Sequence, residues 1–190
     1  MFIGLIGYKN SGKTSIAKRY KELFDDSVNM IGFSNPLYAM LGVLGISMEE
    51  IQDKSKREIP HEKLGGKSIQ FALNSLGTDW GRNMIYKNLW VERSLDALHP
   101  FATNIADNVR FPNEYDAVER QNGVLVAIIN PHVHDDGTAP EKHILELQDK
   151  AAYSIYNDPE KTGLDLAATA LYEIVQSEKE IRKADVLSFI

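Results

Sequence analysis

GYKNSGKT, residues Gly7 to Thr14, follows the apolar run FIGLI (Phe2 to Ile6) and leads into a segment with helical spacing of its apolar residues. Gly7, Gly12, Lys13 and Thr14 meet the pattern GxxxxGK[ST]. Glycines permit a tight turn in which successive main-chain N–H groups converge on phosphate oxygens; the lysine reaches the outer phosphates, and the threonine hydroxyl can hold Mg²⁺. An apolar strand before the loop and an amphipathic helix after it suit this task, because the helix N-terminus adds further N–H groups and its dipole. ATP or GTP binding is therefore expected at Gly7, Asn10, Ser11, Gly12, Lys13 and Thr14, with Lys13 as the catalytic cation and Thr14 as metal ligand.

Composition agrees with a folded chain. It has 190 residues, 43% hydrophobic and 25% charged, which suits one domain with lids or insertions and gives no sign of disorder or of a membrane span. A formal net charge of -6 offers no general attraction for a polyphosphate backbone, so no nucleic-acid partner is expected. There is no cysteine, which removes disulfides and thiolate metal sites and fits a reducing cytosol. The first apolar run is too short for a signal peptide or membrane helix, so no membrane partner and a cytoplasmic location are expected. The five histidines, His132, His134 and His143 among them, are irregularly spaced, and no zinc site is assigned.

Along the chain, Phe2 to Ile6 reads as a buried strand and the following helix carries a stripe of Ile16, Tyr20, Leu23 and Phe24, ending near Asp25. Val28 to Phe33 reads as a second strand, and Pro36 is placed to open a helix. Ser47 with Glu50 forms a capping-box pattern for a short helix that includes Met48 and Ile51. Asp53 to Lys67, with Pro60, two glycines and many charges, reads as a loop. Ser68 to Leu76 and Arg82 to Leu98 read as helices, the second burying Ile85 and Leu89, with a tight turn at Gly81 between them. Phe101 to Ala106 and Val124 to Ile129 read as strands separated by a helix that Gly123 stops, giving a βαβ alternation. Asn130 to Lys142 reads as an exposed flap. A last strand over Tyr153 to Tyr156 precedes a helix from about Thr162 with Leu164, Ala167, Leu171, Ile174 and Val175 on its apolar side.

Two further stretches narrow the choice among P-loop proteins: LGTDWGRNMI from Leu76, followed by Leu89 and Trp90, and DNVRFPNE from Asp107. With the phosphate loop and FSNPL (Phe33 to Leu37), they resemble the deoxynucleoside monophosphate kinases of tailed bacteriophages, in the P-loop kinase group related to adenylate and thymidylate kinases. The resemblance implies a P-loop kinase α/β fold, a parallel sheet flanked by helices in one domain over residues 1–190. It also implies a helical region for the nucleoside monophosphate at about 34–82 and a short lid at about 130–147. The implied activity is transfer of a phosphoryl group from ATP, with Mg²⁺, to a deoxynucleoside 5′-monophosphate in a cytoplasm, that of the host for a phage chain. Such chains can pair, which leaves a homodimer open.

Phosphoryl transfer needs cations around the transferring oxygens and in-line alignment more than covalent chemistry. Lys13, Arg82 and Arg110 are accordingly the expected catalytic cations, with Arg110 at the end of a strand, where ligands gather in an open α/β sheet. Acceptor contacts are expected from Ser34, Lys67, Gln70, Asn74, Asp79, Trp80, Arg82, Asp107 and Arg110, with Trp80 and Asp79 toward the base. The pattern departs from its relatives in three places. Asn108 stands where a carboxylate commonly precedes VRF, which leaves Asp107 as the nearby acid; Gln70 stands where an arginine is usual, with Lys67 nearby to replace it; and HILE (His143 to Glu146) has leucine in place of a serine. Two other readings stay open, a P-loop GTPase or ATPase and a noncatalytic nucleotide-binding protein.

Overall fold

A computed structural model of the chain describes residues 1–137 and 141–188. Its strands are β1 (Phe2–Ile6), β2 (Asn29–Ile31), β3 (Asn104–Val109), β4 (Val124–Ile129) and β5 (Tyr153–Tyr156). The α-helices among these residues are α1 (Lys13–Phe24), α2 (Asn35–Val43), α3 (Met48–Gln52), α4 (Ile69–Asn74), α5 (Leu89–Leu95), α6 (Pro112–Arg120), α7 (Ile144–Asp149) and α8 (Gly163–Ser188). Contacts divide the chain into two units, Met1–Ile31 with Leu98–Ile190, and Gly32–Ala97.

In the first unit every residue of β1 is buried, as an apolar run in the middle of a parallel sheet requires. The sheet has five strands in the order β2-β3-β1-β4-β5, all parallel, with Ile3 opposite both Ile105 of β3 and Val124 of β4. Strand alternation sends Ile3 and Leu5 to one face, where they pack with Ile16, Ala17 and Tyr20 of α1 and Ala167, Leu171 and Val175 of α8. The opposite face is covered by α6 and α7. There Gly4 is surrounded by Leu125, Val109 and Val118, the last from α6. The second unit is helical around a core of its own: Leu37, Leu41, Ile46, Ile51, Ile69, Leu73 and Trp90.

Several expectations from sequence need correction. In α1 the buried residues are Lys13, Ile16, Ala17 and Tyr20; Leu23 and Phe24 are exposed, although Phe24 stacks on Tyr172 with ring centroids 4.5 Å apart. On α8, Leu164 is likewise exposed. The third strand does not include Phe101, which is 93% exposed, and starts instead at Asn104. This buried asparagine is satisfied on the spot: its Nδ2 donates to the His99 carbonyl at 2.9 Å, and its Oδ1 accepts from the His99 N–H at 2.8 Å and from Asn29 Nδ2 at 2.8 Å. The residue that ends α6 in left-handed conformation is Asn122, φ 50°, rather than Gly123. Asn122 N–H donates to Glu119 and Gly123 N–H to Val118, both at 2.8 Å, which closes the helix in a Schellman motif.

The largest correction lies in the second unit. There is no helix running from Arg82 to Leu98 and no tight turn at Gly81; Ser75–Ile85 forms a π-helical segment, and α5 starts only at Leu89. The wider winding shows in the Tyr86 N–H donating to the Gly81 carbonyl, five residues back, at 2.9 Å. Gly81 is required because a Cβ there would run into the indole of Trp90. That buried indole in turn donates its Nε1–H to the Gly77 carbonyl at 2.8 Å. Ile85, expected in the core, is exposed. The capping box at α3 forms as expected, with the Glu50 N–H donating to Ser47 Oγ at 3.2 Å and the Ser47 N–H donating to Glu50 Oε2 at 2.8 Å.

Candidate active site

The phosphate loop joins the carboxyl end of β1 to the amino end of α1. Gly12 is the N-cap of α1 with φ 99°, a left-handed conformation that favours glycine, and a Cβ there would collide with the Asn157 side chain. Asn10 is also left-handed, φ 66°, a conformation asparagine tolerates better than most residues. No side chain caps α1 and its first turn holds no acid, so the N–H groups and positive dipole end of this helix suit an anion supplied from outside.

Lys13 is buried at 5% exposure and its ammonium curls back over the loop, donating to the carbonyls of Gly7 and Tyr8, each at 2.6 Å, and to Ser11 Oγ at 3.3 Å. A cation held this way stands over the loop rather than out in solvent. Thr14 is exposed in the first turn of α1. Gly7, Asn10, Ser11, Gly12, Lys13 and Thr14, the expected nucleotide-binding residues, thus belong to one continuous turn.

The other parallel strands deliver residues to the same carboxyl edge, where ligands bind in open α/β sheets. At the end of β3, Asp107 and Asn108 are half-buried and Arg110 follows. Arg110 Nε donates to Asn108 Oδ1 at 2.5 Å, and its main-chain N–H donates to Glu114 Oε2 at 2.8 Å. Glu114, buried, also accepts from the Phe111 N–H at 3.2 Å, so the last residue of VRFPNE fixes the entry into α6. Asn108 therefore orients an arginine.

At the end of β5 lie two buried residues that sequence reasoning missed. Asn157 Nδ2 donates to the Ser11 carbonyl at 2.8 Å, bracing the phosphate loop from the end of the edge strand. Asp158 Oδ1 accepts from the Glu160 N–H at 3.0 Å and lies 3.1 Å from His132 Nε2, while Lys161 Nζ is 3.4 Å from Oδ2. Burial pushes the Asp158 carboxyl up, but the Glu160 N–H, His132 and Lys161 together outweigh it and hold the group below the ordinary carboxylate range. The signal that marks both residues is position: a polar pair directly after the last strand of the parallel sheet.

The flap expected over 130–147 is exposed only in part, and residues 138–140 of it lie outside the described residues. Ile144 and Leu147 are buried in α7, and Glu141 is 1% exposed. The Lys9 N–H of the phosphate loop donates to Glu141 Oε1 at 2.6 Å. Lys9 Nζ also lies 3.7 Å from Asp136. Burial, then the nearby carboxylates of Asp135 and Glu141, raise the Tyr8 phenol above its ordinary pKa.

In the second unit, Ser34 precedes α2 without capping it. Gln70 and Asn74, one turn apart on α4, are bonded to each other at 2.9 Å, and Lys67 lies over the Phe71 ring, 5.2 Å from its centroid. Asp79, Trp80 and Arg82 belong to the π-helical segment, with Asp79 exposed and Arg82 half-buried. Trp80 is 38% exposed and leans on Trp90, ring centroids 6.0 Å apart. One tryptophan of the pair is thus core and the other presents surface.

A parallel sheet in this order, with a GxxxxGKT loop between its central strand and first helix, is the α/β fold of the P-loop kinases. Among solved structures, the chain is similar to the shikimate kinase of Acinetobacter baumannii in complex with shikimate, with a TM-score of 0.51 over 94% of each chain at 13% sequence identity. No family model matches the sequence, and no curated protein does. No helix among the described residues is long and apolar enough to cross a membrane.

Proposed function

We propose that this chain is a kinase that transfers the γ-phosphoryl group of ATP to a deoxynucleoside 5′-monophosphate, giving ADP and the deoxynucleoside diphosphate. The observation that carries the proposal is the Gly12–Thr14 loop itself: an α1 N-terminus with no side-chain cap, with the Lys13 ammonium held over it by two carbonyls. The fold supports a P-loop kinase, and the LGTDWGR and VRFPNE stretches support the nucleotide acceptor. ATP supplies the phosphoryl group, and Mg²⁺, for which the Thr14 hydroxyl is a suitable ligand, supplies charge neutralisation.

The residues then divide the work. Main-chain N–H groups of the loop bind phosphate oxygens, and Lys13 turns from carbonyl acceptors toward the transferring group, where its charge counts most as negative charge spreads. Arg110, aimed by Asn108, holds anionic oxygens with a planar donor fork. Arg82 acts on the acceptor phosphate and the exposed face of Trp80 on its base; π-helical turns recur at functional sites. Ser34, Lys67, Gln70, Asn74, Asp79 and Asp107 complete the proposed acceptor contacts.

The test is ADP release, coupled to an indicator, with ATP and Mg²⁺ against every deoxy- and ribonucleoside monophosphate. Shikimate, the ligand of the similar structure, belongs in the same plate. Turnover with one or more deoxynucleotides above the acceptor-free rate is expected. ADP release equal with and without every acceptor would turn the reading to a plain NTPase, and turnover only with shikimate would replace the acceptor class.

A further inference from the structure

The acidic rim of the phosphate loop is more than a charged surface. Asp135, Asp136 and Glu141 each offer a carboxylate oxygen within 4.8 Å of the others. Glu141 is 1% exposed; its Oε1 takes the Lys9 N–H, and its Oε2 is buried with no hydrogen-bond partner among the described residues. A buried carboxylate oxygen left without a donor is costly, and two neighbouring acids add repulsion. The Lys9 ammonium, itself half in solvent, lies 3.7 Å from Asp136.

From this we infer that Asp135, Asp136 and Glu141 form a binding site for one divalent cation of the Mg²⁺, Mn²⁺ and Ca²⁺ class, distinct from the ion that accompanies nucleotide at Thr14. The spacing suits it. Two ligands on opposite sides of an ion stand at most twice a metal–oxygen distance apart, about 4.2 Å for Mg²⁺ and up to about 5 Å for Ca²⁺, so oxygens up to 4.8 Å apart fit the larger ion as they stand and a smaller one after drawing in. The donors are all carboxylate oxygens, which select hard ions over zinc or copper. An ion there ties the segment after β4 to the phosphate loop through Glu141 and Lys9, so that metal and loop geometry are coupled without any nucleotide. The second cluster of this kind, His132, Asp158 and Glu160, also holds a buried carboxylate oxygen without a hydrogen-bond partner, Asp158 Oδ2, but is the weaker candidate because the Lys161 ammonium stands 3.4 Å from that oxygen while His132 and a main-chain N–H take Oδ1.

The experiment is titration of the nucleotide-free full chain with Mn²⁺ alone, free ion being read by electron paramagnetic resonance, followed by displacement with Mg²⁺ and Ca²⁺. Saturable binding of one ion is expected, weakened at least about tenfold in Glu141→Gln and in Asp136→Asn and unchanged in His132→Gln. Should Glu141→Gln fail to fold, judged by circular dichroism, the exposed Asp136→Asn decides. Absence of saturable binding, or binding that survives Asp136→Asn, overturns the inference; loss in His132→Gln with retention in Asp136→Asn moves the ion to the other cluster and overturns it equally. Metal alone is the probe, so the outcome stands apart from whether the chain is a kinase.

Discussion

Asn157 reaches from the end of β5 to the phosphate loop and donates from Nδ2 to the Ser11 carbonyl at 2.8 Å, across 146 positions of sequence. It also fills the space beside Gly12 that any larger residue would need. Replacing Asn157 with Ala leaves a buried carbonyl without its donor and should cost about 1–3 kcal/mol in denaturant unfolding. ATP affinity should fall with it. Unchanged stability and unchanged affinity together would show that the loop holds its shape unaided.

Lys13→Ala removes the cation that the loop carbonyls hold in place. Turnover should drop by about two to three orders of magnitude, as for other fixed charges that act on a transition state. Circular dichroism should still report a folded chain, because the sheet does not depend on this side chain. A folded variant with near-normal kcat would rule out the role given to Lys13.

Arg82 and Arg110 should behave alike, and unlike Trp80. A guanidinium fork is not replaced by an ammonium, so Arg82→Lys and Arg110→Lys should lower kcat/KM for all acceptors by about tenfold or more with ATP affinity kept. Trp80→Ala should instead change the order of preference among bases, because stacking depends on the ring presented. Measuring each acceptor and, separately, ATP binding distinguishes these outcomes. Arginine variants that lose ATP affinity and keep acceptor kinetics would place both residues on the donor.

Acid should loosen α3 before it touches the sheet. The Glu50 carboxyl is held down to about 2 by the Ser47 hydroxyl first, then by the Ser47 N–H and by His61, against an ordinary value of 4.5. A depressed folded-state value means that the stabilisation is full above pH 4.5 and is lost as pH falls toward 2. The protection factors of the Ser47 and Glu50 amides, with exchange corrected for its intrinsic pH dependence, should fall across that window in the native chain. In Ser47→Ala they should be low and flat throughout.

Gly81→Ala tests the π-helical segment. The added methyl meets the Trp90 indole, which is buried and tied to Gly77, so neither partner yields easily. A loss of about 1–3 kcal/mol is expected from overpacking, read in thermal or denaturant melts. A neutral effect would show that the segment rewinds at little cost.

How much of this was legible beforehand depended on how local the cause was. The phosphate loop could be read because its mechanism fixes residue types within one short stretch, and β1 and β4 because buried parallel strands are written as apolar runs. Phe101 misled, since apolar character does not by itself locate strand pairing; the start of β3 is set by Asn104, whose partners are His99 and Asn29. The π-helical winding rests on Trp90 lying against Gly81, a contact between segments that look separately like ordinary helix and turn. Glu141 and Asn157 were invisible for a similar reason: each acts on the loop from more than 130 positions away. A flap reads as polar whether it is loose or latched.

The strand order has a consequence for how the chain can come to be folded. Among the described residues β1 pairs only with β3 and β4, and β2 only with β3, so neither early strand has a partner there until residues 104–109 exist. The helical unit Gly32–Ala97, with a core of its own, is complete before that point. During synthesis from the amino end, the middle of the polypeptide is therefore able to consolidate first, while the phosphate loop waits, unformed, for a strand made about a hundred residues after it.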